Sequence, residues 1–215
     1  MASCAALYDL VRIDHFIGVV HYYAIPAGED TAMNGRWLTG PGEKLLEAIG
    51  PTLAGTKIIA EDLGVVTPQV RRLLEKSGYP GMKLMEFAFD SDSTNENLPC
   101  HFEKNMVVYG GTHDNETLAG FFGPGQSRRM LRFARRYLDV EGDADFTRRF
   151  IRAALASVSD TAVIPMPDWL GLGAEARINT PSTLGGNWLW RMDPAALTDA
   201  LAADILALTK LYGRC

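Results

Sequence analysis

Cysteine is scarce: Cys4, Cys100 and Cys215 are the only 3 in 215 residues, widely spaced and without a Cys-x-x-Cys. That argues against a disulfide framework and a thiolate zinc site, and for a reducing compartment. An excess of basic charge is also lacking. The formal net charge is −5, whereas a nucleic-acid partner requires a basic face. The arginines that do cluster, Arg128, Arg132 and Arg136, fall four apart on a helical pattern and predict a solvated face. No apolar run approaches membrane-spanning length, and Met1-Ala-Ser-Cys-Ala-Ala-Leu7 has no basic start. The expectation is a cytoplasmic protein with no nucleic-acid and no membrane partner. Gly-x-Gly-x-x-Gly and Gly-Lys-Ser/Thr are missing, which argues against a nucleotide-binding sheet. His-x-His and His-Glu-x-x-His are missing too, so a metal-hydrolase reading of Asp14, His15, Glu61, His113 and Asp114 finds little support.

What the chain does have is alternation. Residues 8–13, 57–60, 82–89, 105–109 and 161–165 are short apolar runs that read as strands. Their near-continuous hydrophobicity suits parallel strands buried on both faces. Between them lie helical patterns with legible ends. Thr67-Pro68 opens a helix that Gly78 closes, and Ser127 opens another that runs to about Leu138. Asp143 or Asp145 caps a third through Phe150 and Leu155, and Asp193-Pro194 starts a last one closed by Gly213. This order implies a parallel α/β domain, either doubly wound or a barrel. Four of the strands run straight into polar residues at their C-terminal ends: Asp14-His15, Glu61-Asp62, Thr112 to Asn115, and Asp168-Trp169. Functional groups from several strand ends mark the top face of a (β/α)8 TIM barrel. Residues 1–215 therefore read as one partial catalytic barrel domain, its C-terminal five β/α units, with the N-terminal strands missing.

The carboxylates suggest a chemistry. Retaining glycoside cleavage uses a nucleophilic carboxylate and a proton-donating carboxylic acid roughly 5–5.5 Å apart. Adjacent strands lie about 4.7–4.9 Å apart, so Asp14 and Glu61 at neighbouring strand ends can flank one bond. The short Asp14 suits attack on an anomeric carbon, and the longer Glu61 suits reaching the glycosidic oxygen. Arg12 falls on the same side of its strand as Asp14 by the period-two rule, where it would keep a charge partner beside it. Asp114 offers a third carboxylate for a sugar ring, with His113 beside it. His21 and His101 read as surface or packing residues, and Met82, Met85 and Phe87 as core. Trp37, Phe121, Phe122 and Trp169 suit either sugar stacking or packing.

The words themselves are familiar. VRIDHF (11–16), IPAGEDTAMNGRW (25–37), IIAEDLG (58–64), GMKLMEFAF (81–89), GTHDNET (111–117) and ARINTPSTLGGNWLW (176–190) closely resemble the amylomaltases. These are the 4-α-glucanotransferases of glycoside hydrolase family 77, related to the α-amylases. The likeness runs from Tyr8 to about Arg191. It implies Asp14 as nucleophile, Glu61 as acid/base and Asp114 as transition-state stabiliser. It also implies Arg12, His113 and Asn179 as sugar-binding residues. The implied partners are α-1,4-glucans and maltooligosaccharides, with no cofactor. The family often has an arginine where this chain has Ile17, and a tryptophan near Tyr23. It carries further barrel strands upstream of RIDHF, so the missing N-terminal half, or self-association through open strand edges, is a further expected partner. The contrasting expectation is a truncated chain that binds glucan weakly without turnover.

Overall fold

The computed structural model describes residues 1–123, 125–141 and 146–214. The chain divides into two compact units, Met1–Met82 and Lys83–Cys215. In the first, β1 (Leu10–Ile13) lies parallel to a later strand, with β2 (His21–Ala24) and β3 (Arg36–Thr39) between them in sequence. That later strand is β4 (Lys57–Ala60), and Leu10 faces Lys57 while Ile13 faces Ala60. A parallel pair needs a long crossover. Here the crossover contains the antiparallel β2–β3 hairpin, with His21 opposite Thr39, and the helix Glu43–Ile49.

The hairpin was not expected from the sequence. Its strands are largely solvated on both faces, with Trp37 68% exposed, so no period-two burial pattern announces them. Tyr23 and Trp37 face each other across it as an edge-on ring pair with centroids 5.4 Å apart. The core of this unit gathers Phe16, Val19, Val20, Ala60, Val70 and Leu73. The helix Pro68–Ser77 follows its sequence signals: Thr67 Oγ1 accepts from the Val70 N–H, and Gly78 ends the helix at φ 68°. Thr67→Ala removes that cap and is expected to lower stability by about 1 kcal/mol, read as a shift in the urea unfolding midpoint.

A second sheet has the order β5-β6-β7, formed by β5 (Gly81–Leu84), β6 (Met106–Tyr109) and β7 (Thr161–Val163). β6 and β7 are parallel, Val107 facing Thr161 and Tyr109 facing Val163. All five expected strands are present, some shorter than expected. β5 stops at Leu84, and Met85–Phe89 is a 3-10 helix. Met85, Glu86, Ala88 and Phe89 are all buried, and a strand of period two cannot bury such a run on one face. Phe87 is the residue this turn pushes outward, 45% exposed instead of in the core as expected; Met82 and Met85 are fully buried.

The core of the second unit is aromatic. Phe89 meets Phe122, Phe133, Tyr137 and Phe150 at centroid distances of 5.8 to 6.4 Å. Phe122 also stacks on Phe146 at 3.9 Å, and Phe121 and Phe122 both pack, partly buried, against this core. The helix Arg128–Leu138 is capped by Ser127, as the sequence indicated. The helix Phe146–Ala156 follows, and its expected caps Asp143 and Asp145 lie outside the described residues. Asp193-Pro194 opens only a 3-10 turn, Pro194–Ala196; Leu197 leaves helical geometry and Thr198 caps the helix Asp199–Leu211. Among the described residues, no helix is long and apolar enough to cross a membrane.

Candidate active site

Register places the first pair of carboxylates. Ile13 and Ala60 are partners in a parallel ladder, so the next residues, Asp14 and Glu61, leave the same C-terminal end of adjacent strands. Bonding continues past the strands: the Glu61 N–H donates to Ile13 O at 2.9 Å, and the Phe16 N–H to Glu61 O at 2.8 Å. His15 then turns the chain in the left-handed region, φ 48°, with its ring over Gly18, where a Cβ would come within 2.6 Å of it.

The two carboxylates differ in surroundings. Glu61 is only 8% exposed, and the His15 N–H donates to Oε2 at 2.6 Å while the Leu63 N–H donates to Oε1 at 2.8 Å. Each oxygen keeps a second lone pair, so the head is fixed and still able to exchange a proton with a ligand. The Asp14 side chain is 75% exposed, and Arg12 Nη2 donates to its Oδ1, on the side that strand periodicity indicated. One carboxylate is clamped and shielded, the other open and paired with a cation. Asp62 is structural: its Oδ1 accepts from the Met82 N–H at 2.7 Å.

The second unit builds its own cluster. Asn179 Nδ2 donates to Asp114 Oδ1 at 2.5 Å, and His113 Nε2 lies 3.4 Å from the same oxygen. The Asn179 N–H donates to His113 O at 3.0 Å, so the 177–179 segment pairs directly with the polar end of β6. Arg177 completes the join. Its Nη2 donates to Asp114 O at 2.8 Å, its Nε to Asn179 O at 3.0 Å, and its Nη1 lies 3.5 Å from Glu116. Sequence reasoning missed Arg177, although it stands two residues before Asn179 in the same motif. Trp188, 56% exposed and held at φ 63°, sets its ring 5.1 Å from that of His113.

Two buried acids lie behind this cluster. Asp168 Oδ1 accepts from the Leu118 N–H at 2.8 Å, and burial pushes its carboxyl up to about 6. Glu86 is 3% exposed. Burial, reinforced by the charge of Asp168, pushes it up to about 8. Among the described residues, no group of three or more His, Cys, Asp or Glu side chains is arranged to hold a metal ion.

Acidic residues leaving the ends of parallel strands in an α/β scaffold are an arrangement that glycoside chemistry can use. The sequence pattern of glycoside hydrolase family 77, described as 4-alpha-glucanotransferase, matches residues 1–198, and the chain belongs to that family. It is 44% identical over 213 residues to the 4-alpha-glucanotransferase of Clostridium butyricum, a match covering 99% of this chain and 44% of the relative. The chloroplastic/amyloplastic 4-alpha-glucanotransferase of Arabidopsis thaliana is also 44% identical, over 97% of this chain and 36% of its own length. Among solved structures, the amylomaltase from Streptococcus agalactiae in complex with acarbose superposes with a TM-score of 0.92 at 37% identity, over 99% of this chain and 43% of that one. The chain thus spans 36% to 44% of the length of these relatives.

Proposed function

We propose that this chain supplies the reacting carboxylates of a 4-α-glucanotransferase acting on α-1,4-glucans with retention of configuration. The observation that carries the reading is the emergence of Asp14 and Glu61 from one end of two register-paired strands, the first open and the second clamped. In the first step Asp14 attacks the anomeric carbon while Glu61 gives its proton to the departing glycosidic oxygen. The bond to the leaving glucan breaks and a glycosyl ester on Asp14 forms. In the second step Glu61 takes the proton from the 4-hydroxyl of an acceptor sugar, whose oxygen displaces Asp14.

To Arg12 we assign the charge partner of Asp14 and a contact to sugar hydroxyls. To Asp114 we assign ring hydroxyls as the sugar flattens toward an oxocarbenium ion, to His113 a donor role on the sugar, and to Asn179 the orientation of Asp114. The family likeness and the hydrogen bonds from Asn179 and Arg177 support this. We read the five expected strands, β1 and β4 to β7, as β/α units of an eight-unit barrel, and the compartment as cytoplasmic on the free thiols Cys4 and Cys100. The chemistry calls for no metal or organic cofactor.

The test places residues 1–215 in the Clostridium butyricum relative, in place of the 213 residues they match. Given maltotriose, the chimera is expected to release glucose and build a ladder of longer maltooligosaccharides, unchanged by EDTA. The 215-residue chain alone is expected to show little turnover and to self-associate without thiol oxidation. A chimera that folds and only hydrolyses, or that loses activity in EDTA, overturns the reading.

A further inference from the structure

The mechanism above uses neither of two buried acids, Asp168 and Glu86. Glu86 lies in the 3-10 turn after β5, and its Oε1 has no hydrogen-bond partner although it is shut off from solvent. Gly111 makes room for it: a Cβ at that position would stand 2.5 Å from Oε1. Asn115 packs against the same spot, its Cβ 2.9 Å from that built position. Asn115 in turn uses its Oδ1 to accept from the Thr112 N–H at 2.9 Å and the Thr112 hydroxyl at 2.8 Å. Thr112 Oγ1 then accepts from the Asp114 N–H at 3.3 Å. A chain of hydrogen bonds therefore joins Asn115, Thr112 and the backbone of Asp114, with the Glu86 carboxyl seated beneath it against Gly111.

We propose that Glu86 is a positioning residue for Asp114: seated uncharged beneath the Thr112–Asn115 turn and packed against Gly111, it braces that turn, and its ionisation loosens the brace. The latch is a claim about this turn; only its value to the reaction rests on the glucanotransferase reading. The charged groups facing Glu86 give the reason. Asp168 and Glu116 are acidic and oppose a further negative charge, and Arg177 is the cation among them. Arg177 is already committed to Asp114 O, Asn179 O and Glu116. A charged Glu86 competes for that guanidinium and draws it from Asp114, while the orphan Oε1 becomes a buried anionic atom without a donor.

The direction of the pH effect follows. The ordinary glutamate value is 4.5, and burial raises Glu86 to about 8. The unfolded chain gives up this proton first, so the contribution to stability is whole below 4.5 and is lost as pH rises to about 8. Asp168, raised to about 6, is already ionised above pH 7 and does not confuse that range.

The experiment follows amide hydrogen exchange at Thr112 and Asp114 in the full chain between pH 7 and 9.5, as protection factors. In the native sequence protection is expected to fall at least about tenfold across that range. In Glu86→Gln, which keeps the shape but cannot ionise, it is expected to stay level. Flat protection in the native sequence overturns the proposal, and so does an equal fall in both proteins. Should the variant not fold, the infrared carboxylic-acid band of the native chain decides. Its loss in step with protection near pH 8 supports the latch, and its absence at pH 7 overturns it. An inactive chimera would reject the glucanotransferase reading and leave the exchange result standing.

Discussion

Replacing Asp14 with Asn is expected to reduce transfer in the chimera on the order of 10⁵-fold or more, the scale reached when a covalent nucleophile is removed. The amide keeps the size of the carboxylate and some of its bonding to Arg12, so folding should survive. It cannot form the glycosyl ester. Glu61→Gln acts on a different step. It removes proton transfer to the leaving oxygen, worth roughly 10²- to 10⁴-fold with a natural glucan donor. With α-glucosyl fluoride, whose leaving group needs no proton, formation of the ester should persist in Glu61→Gln and remain absent in Asp14→Asn. Equal rescue of both variants, or normal turnover by Asp14→Asn, would remove these two residues from their assigned roles.

Arg177→Met is the second large effect, and it tests a residue that motif reading passed over. The guanidinium holds Asp114 O and Asn179 O at once and reaches Glu116. Losing two hydrogen bonds from a charged group should lower stability by about 3 kcal/mol, at roughly 1.5 kcal/mol each. It should also lower kcat about 10²-fold, the consequence of displacing a group near the chemistry by around 1 Å. Arg177→Lys is expected to resemble Arg177→Met, because an ammonium cannot reproduce the planar fork. Chemical unfolding and steady-state kinetics of the three proteins check both effects. Wild-type kcat in Arg177→Met would show that Asp114 needs no such support.

The residues that were legible are those where a local rule and the fold agree. KIIA is a short continuous apolar run and becomes β4 without adjustment. Thr67, Pro68 and Gly78 delimit their helix because capping is decided within a few residues. Asp14 and Glu61 stand out in the sequence because each directly follows a short apolar run that forms a strand. Asp193 shows the limit of local reading: its side chain does cap Ala195, but the chain stops and is capped again at Thr198.

Long-range geometry was not legible. Arg177 matters through carbonyls that only folding brings to it, and Glu86 through a space left by Gly111. Neither has a signature in its neighbours. The end of β5 at Leu84 was hidden for a related reason: an apolar run shows that residues are buried and not which backbone buries them.

The hairpin carries one more lesson. Its base is clasped where the Gly40 N–H donates to Val20 O at 2.8 Å and the Gly42 N–H to Val19 O at 2.9 Å. A side chain at residue 40 would collide with Val19 O. Insertions and deletions that fall between residues 25 and 35 thus stop at a fixed collar. Natural drift or a designed graft can remake that tip while the alignment of Ile13 with Ala60 stays where it is.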